Sequence, residues 1–276
     1  MTADITLVLG ATGKTGRLVA DGLRARGRAV RAAARSAGTR FDWDAPETWP
    51  AALDGVRAVY VVTPMKPSFS AGSVASFVAA AETAGIGKLV LLSGLSAGYG
   101  SRPMLSREEP VTESALDWTI LRPGAFQQNF ASRPYPEAVR DGELRLPLGA
   151  ARSAYIDVAD IAEVAVETLT TEGHSRRIYE LAGPRALSFP EVLEIISRET
   201  GLPVRYVDVP VEEWTARMRA AGVSDEQLAW SLETFAALRR GEYAELHKGV
   251  QTVLGREPRD FAAYAKAASA AGVWAR

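Results

Sequence analysis

The sequence predicts an α/β protein built on a doubly wound parallel sheet, with a smaller, mostly helical C-terminal lobe. Three observations carry this. From Ile5 to about residue 121, short β-rich runs alternate with stretches whose apolar residues recur at helical spacing. The strand candidates, such as "LVLLS" at 89–93, are apolar on both faces, as expected where helices cover both sides of a parallel sheet. Finally, "VLGATGKTG" at 8–16 runs from an apolar strand pattern through three glycines into a helical one.

Taken in order, "ITLVLG", "AVRAAAR", "AVYVVTP", "KLVLLSG" and "DWTILRPG" read as strands, with "TGRLVADGLRARG" and "SVASFVAAAETAGIG" as helices among them. After residue 123 the regularity breaks. "YIDVADIAEVAVETL" is a helix with Asp157 and Asp160 at cap positions, and "RIYELAG" is a strand. "SFPEVLEIISRETG" is a helix with Ser188 as N-cap, Pro190 in its first turn and Glu191 at the capping-box position. From "VEEW" at 211 the pattern is mostly helical, ending with "EPRDFAAYAKAASAAG". The expected division is 1–123 as the sheet domain, with 151–182 returning to it, and 124–276 mostly as a lobe over the carboxyl edge, where ligands of open α/β sheets bind.

Composition narrows the partners. A net charge of −1 and a pI near 6.2 create no field to gather a polyanion, which argues against nucleic acid. With no cysteine, disulfides and thiolate metal sites are excluded, and with only His174 and His247, far apart in sequence, a metal centre would have to be built from carboxylates alone; no metal is expected. No basic leader and no run of about 18 apolar residues is present, so a soluble, cytoplasmic protein with no membrane partner is expected. The expected partner is a small-molecule substrate, and the chain is expected to be a monomer or homodimer.

The glycine motif is G-x-x-G-x-x-G between a strand and a helix. Gly10 permits the tight turn, Gly13 lets the backbone approach a pyrophosphate, and Gly16 lets helix and strand pack closely, while the helix N-terminus offers amide donors. This context points to a Rossmann-type dinucleotide site. NAD sites place an acid about 20 residues further on. Here the second strand, "AVRAAARS", contains none and ends in Arg35, which could fork onto the 2′-phosphate of NADP, with Lys14 adding a second cation. NADP(H) is therefore the expected cofactor; the alternatives are a solvated Arg35 and an ordinary first-turn Lys14.

The loop "GATGKTG", with "LLSGLS" and "TILRPGAFQQNF", resembles the NmrA-like group of atypical short-chain dehydrogenases/reductases. "FDWDAPETW" at 41–49 and "VLGREPRDFAAYA" near the end are similar to a subfamily that includes ergot-alkaloid dehydrogenases of the festuclavine and agroclavine type. The resemblance covers essentially the whole chain. It implies that Gly10, Thr12, Gly13, Lys14, Thr15 and Gly16 surround the phosphates, that Arg35 holds the adenosine end, and that Asp42 and Trp43 lie beside the adenine. Thr63, Pro64 and Met65 would pass under the ribose, Ser93 and Gly94 would border the nicotinamide, and Pro123 to Phe126 would close over the ring. The helix beginning at Asp160 is expected to be structural.

Reducing a ketone calls for a proton donor, which the wider superfamily supplies as a Tyr with a Lys four residues later. Tyr99 is followed by Pro103, and the five lysines (14, 66, 88, 248, 266) form no such pair. An iminium ion or a quinone is already activated toward hydride and depends more on orientation and electrostatics. The sequence thus predicts an NADPH-dependent reductase of a C=N (iminium) or quinone-like acceptor, with Ser93 and Glu108 as the catalytic candidates. The alternative is a non-catalytic NADP(H) redox sensor of the NmrA type. Tyr99 and Tyr155 are weaker candidates; Phe126, Phe130, Tyr135, Trp214 and Trp230 either line an apolar cavity or form core.

Overall fold

The computed structural model describes residues 4–66 and 69–275. In chain order the described strands are β1 (Ile5–Leu9), β2 (Ala29–Ala34), β3 (Thr39–Arg40), β4 (Val56–Val62), β5 (Lys88–Leu92), β6 (Asp117–Pro123), β7 (Glu143–Leu146), β8 (Arg152–Ser153), β9 (Arg177–Leu181), β10 (Leu187–Ser188) and β11 (Arg205–Asp208). The helices are α1 (Gly16–Ala25), α2 (Trp49–Leu53), α3 (Ala71–Thr83), α4 (Arg102–Thr112), α5 (Tyr135–Asp141), α6 (Val158–Thr170), α7 (Phe189–Thr200), α8 (Val211–Ala220), α9 (Asp225–Arg239), α10 (Gly249–Leu254) and α11 (Phe261–Ala270).

The chain divides into two compact units. The first comprises Met1–Pro123, Val158–Leu181 and Lys248–Arg256; the second comprises Gly124–Asp157, Ala182–His247 and Glu257–Arg276. Two boundaries differ from those expected. Segment 151–157 stays with the second unit, because Ile156 pairs with Ala125 and Gln127 there, while Lys248 returns to the first through an antiparallel bridge to Leu181.

The first unit holds a seven-stranded sheet in the order β3-β2-β1-β4-β5-β6-β9, every neighbour parallel. Alternate residues from the strands (Leu7, Leu9, Val59, Val61, Leu89, Leu91, Trp118, Ile120) pack with Trp49, Val74, Phe77 and Val111 from α2, α3 and α4 in one core. α6 packs against β4, β5, β6 and α1. There a Cβ on Gly22 would lie 3.0 Å from a Val166 methyl, so a side chain at Gly22 would require Val166 to give way. α6 begins at Val158 rather than Asp160; the fully buried Asp160 carboxylate accepts a 2.7 Å bond from Arg256, as burial of a charge requires.

The second unit contains two small sheets, β7 parallel to β11 and β8 antiparallel to β10. Its core gathers Phe130, Tyr155, Phe189, Phe261 and Trp274. α7 carries the expected capping box: Ser188 Oγ accepts from Glu191 N, and Ser188 N donates to Glu191 Oε2 at 2.7 Å. Among the described residues, no helix is long and apolar enough to cross a membrane, and no cluster of His, Cys, Asp and Glu is arranged to hold a metal ion.

Candidate active site

The glycine loop leaves β1 and turns at Gly10, whose φ of +64° is left-handed and suits glycine. Gly13 N donates to Gly10 O at 2.8 Å, closing the turn. A Cβ on Gly16 would fall on the Gly10 carbonyl, so only glycine lets α1 start this close to β1. Thr12, Gly13 and Lys14 are exposed while Thr15 and Gly16 are buried, so the loop offers its tip to solvent above the start of a ten-residue helix. This shape fits a pyrophosphate.

Register aligns the carboxyl edge. Leu9 pairs with Ala33, and Ala11 N donates to Ala33 O, so the exposed Arg35 just beyond stands beside the glycine loop. On the other side, a Cβ on Gly10 would lie 3.4 Å from Val62, the last residue of β4. Val62 pairs with Leu92 and Leu92 with Leu121, which brings the ends of β4, β5 and β6 into line: Thr63, Ser93 and Arg122 occupy successive places on one edge.

The segment 41–49 is fixed by its tryptophans. Trp49 Nε1 donates to Asp42 O at 2.8 Å and Trp43 Nε1 to Val62 O at 3.1 Å. The Trp43 ring, 8% exposed, packs edge-on against Phe41, Trp49 and Phe69 and is a core residue, whereas Asp42 is half-buried and receives Asp44 N on Oδ1.

Glu108 is buried in α4 at 3% exposure, far from the solvated position usual for a helical glutamate. Its charge is answered. Arg122 Nη2 donates to Oε2 at 2.6 Å and Nε to Oε1 at 3.0 Å, a two-pronged fork, and Ser93 Oγ donates to Oε1 at 2.5 Å. A further 3.4 Å contact links Arg122 Nη1 to Glu180. The hydrogen bond from Arg122 to Glu108 holds its guanidinium above the ordinary arginine value against the opposing effect of burial. Both Glu108 oxygens accept, so the Ser93 hydroxyl hydrogen is donated to Glu108. Gly94 follows closely, where a Cβ would lie 3.4 Å from Met104 Sδ.

One residue of α4 away, Arg107 is 4% exposed. Its Nη1 donates to Thr63 Oγ1 at 3.2 Å and to Met65 Sδ at 3.3 Å, and its guanidinium sits 5.1 Å from the Phe69 ring centre. Burial pulls it below its ordinary value.

Pro123 ends β6, buried, in the first unit; the half-buried Phe126 belongs to the second. Phe130, Tyr135 and Tyr155 pack together in that unit's core, with Phe130 and Tyr135 ring centres 4.7 Å apart, and Trp214 is stacked edge-on to Phe235. Trp230 is half-buried on α9 and Tyr99 is exposed. His174 is held by Tyr179 and Thr171. Arg107, Arg122 and Glu180 carried no sequence assignment. Arg122 has a signal in hindsight, an arginine at the end of the apolar strand "TILRP"; Arg107 has none.

A glycine loop at the carboxyl edge of a parallel sheet, flanked by a cation beyond β2 and a serine beyond β5, defines a dinucleotide-binding oxidoreductase of the Rossmann class. Comparison with known proteins agrees. The sequence profile of a family described as NAD(P)H-binding matches residues 10–172, and the chain belongs to that family. The chain is 39% identical to an NAD(P)H azoreductase of Xenophilus azovorans over 92% of its own length and 89% of the other. It is 28% identical to agroclavine dehydrogenase of Claviceps fusiformis over 80% of both chains, in line with the resemblance carried by "FDWDAPETW". Its fold matches that of the NADPH-dependent quinone oxidoreductase QOR2 of Escherichia coli, crystallised with NADPH, at a TM-score of 0.84 and 21% identity, covering 95% and 99% of the two chains. The chain is an NAD(P)H-dependent oxidoreductase, a reductase.

Proposed function

We propose that this reductase uses NADPH to reduce a small molecule that is already electron-poor, at a C=N (iminium) or quinone-like centre. The observation that carries this reading is the Ser93–Glu108–Arg122 chain at the end of β5, in a protein with no Tyr–Lys pair. A serine whose hydrogen is given to a carboxylate is a poor proton donor but an electron-rich acceptor. Its oxygen suits a positively charged C=N centre, which needs orientation and charge stabilisation rather than protonation. The similarity to an azoreductase and a quinone oxidoreductase supports acceptors of this kind.

In this reading Gly10, Thr12, Gly13, Lys14, Thr15 and Gly16 hold the phosphates and Arg35 selects the 2′-phosphate by a charge-assisted fork. Asp42 meets the adenosine, and Trp43 acts by anchoring that segment to Val62 rather than by stacking. Thr63, Pro64 and Met65 line the ribose; Ser93, Gly94, Pro123 and Phe126 surround the nicotinamide. NADPH, when bound, supplies the hydride. Ser93 orients the acceptor, Glu108 polarises Ser93, and the Arg122 fork holds the Glu108 carboxylate in place.

The test is NADPH oxidation, followed by absorbance, against cyclic imines, quinones and triarylmethane dyes, with nicotinamide fluorescence reporting binding in the same sample. Turnover of one class is the expected result. Binding without turnover across the panel would favour a redox sensor instead.

A further inference from the structure

The charges on α4 are treated unequally. Glu108 is neutralised by a two-pronged arginine, as buried ions require. Its neighbour Arg107, equally buried, is not: among the described residues no carboxylate lies within ion-pair distance, and only Nη1 is bonded, to a hydroxyl and a thioether. A thioether is a weak acceptor, and an aromatic face supplies only part of what a guanidinium loses on leaving water. Five N–H donors in a rigid fork, with one nitrogen engaged, match a planar or tetrahedral oxyanion.

The surroundings give this cation an outlet. Thr63 and Met65 follow β4 on the same sheet edge as the glycine loop and Ser93, and Met65 is 65% exposed. Arg107 therefore reaches from the buried side of α4 to a segment that is open to solvent. Phe69, packed against Trp43 in the core, places its ring face 5.1 Å from the guanidinium.

We propose that Arg107 is an oxyanion-binding residue of the reductase site, taking a carboxylate, sulfonate or phosphate group of a bound ligand. The group belongs either to an anionic substituent of the acceptor or to the cofactor. The inference rests on the reading of this edge as the reductase site, and adds a selectivity to it: Arg122 neutralises Glu108, whereas Arg107 has no carboxylate partner among the described residues, so the site favours ligands that carry an oxyanion.

The experiment compares wild type, Arg107→Met and Arg107→Lys. It measures kcat/KM for 1,4-naphthoquinone-2-sulfonate against uncharged menadione, and the NADPH Kd by nicotinamide fluorescence. If the oxyanion is the acceptor's, Arg107→Met lowers the sulfonate-to-menadione ratio roughly 10- to 100-fold, the range for a lost hydrogen bond to a charged group, while Arg107→Lys keeps most of it. If it is the cofactor's, the ratio holds and the NADPH Kd rises by a similar factor. A ratio and a Kd both unchanged, or both acceptors weakened alike with the Kd unmoved, would overturn the proposal and leave Arg107 a packing residue. Should Arg107→Met fail to fold, competition by benzenesulfonate against NADPH or acceptor in wild type and Arg107→Lys decides the same question, and no competition counts against it. Should wild type reduce neither quinone, the quinone part of the proposed function fails on its own, and binding of the sulfonate measured by tryptophan quenching still tests Arg107.

Discussion

Ser93 and Glu108, fifteen residues apart in sequence, are joined by a 2.5 Å hydrogen bond in which the serine is the donor. In the proposed mechanism the direction of that bond matters, because a Ser93 that donates to Glu108 would act as an acceptor toward a ligand. Ser93→Ala should lower kcat for a cationic C=N acceptor roughly 10- to 100-fold while leaving the NADPH Kd within a few-fold. Steady-state kinetics and a fluorescence titration check it; an unchanged kcat would remove Ser93 from the mechanism.

Glu108 also has a structural consequence. Arg122 is 13% exposed at its side chain and Glu108 4%, so deleting the carboxylate strands a largely buried cation. Glu108→Ala should cost about 3–5 kcal/mol of stability, the usual result of breaking one side of a buried pair. Urea unfolding measures it, and a loss below about 1 kcal/mol would mean that Glu180 or water takes over Arg122.

Arg35 stands exposed beside the glycine loop with no acid in β2 to favour a free ribose. Arg35→Ala should raise the Kd for NADPH roughly 10- to 100-fold and change that for NADH less than about threefold. Equal weakening of both cofactors would reassign Arg35 to the adenine or to packing.

Gly16→Ala places a methyl on the Gly10 carbonyl and must push α1 away from β1. The expected cost is about 1–3 kcal/mol, from overpacking a site with no slack, together with weaker NADPH binding. Thermal unfolding with and without cofactor separates the two effects; wild-type stability and affinity would contradict this account of the loop.

Glu191 supplies a pH dependence in the second unit. The backbone amide of Ser188 is the main cause, with Arg152 assisting against partial burial, and together they lower its carboxyl from 4.5 to about 2. A lowered folded-state value means the contribution is complete above the unfolded value and disappears as pH falls, here between about 5 and 2. With both Glu191 and Arg152 more than a third exposed, solvent limits it to about 1 kcal/mol. Glu191→Gln should flatten the acid limb of the stability curve by that amount, as read by urea midpoints from pH 6 to pH 3; parallel curves would show that the box is pH-silent.

The large pattern was legible because periodicity is local. Every strand of the sheet longer than two residues, the glycine loop and the capping box at Ser188 follow from residues within a turn or two of one another. What escaped was short or distant. The two-residue strands β3, β8 and β10 are too brief to alternate, and the return of Lys248 to Leu181 depends on packing across the fold. Resemblance alone places Trp43 beside the adenine; its packing against four rings depends on Phe41, Trp49, Phe69 and Phe77 meeting across separate elements, which local pattern does not show. The burial of Glu108 required Arg122, which lies on a different element.

The first unit is sewn from three separate stretches of chain, the last of them Lys248–Arg256. Synthesis therefore releases the glycine loop early, while β9 follows only after α5, β7, β8 and α6, and α10 only after residue 248. Until β9 has been made, β6 is a bare sheet margin awaiting its partner. A fragment cut after Pro123 would keep the cofactor-binding loop yet lack α6 and the outer strand, so the two halves of this enzyme cannot be traded as independent modules.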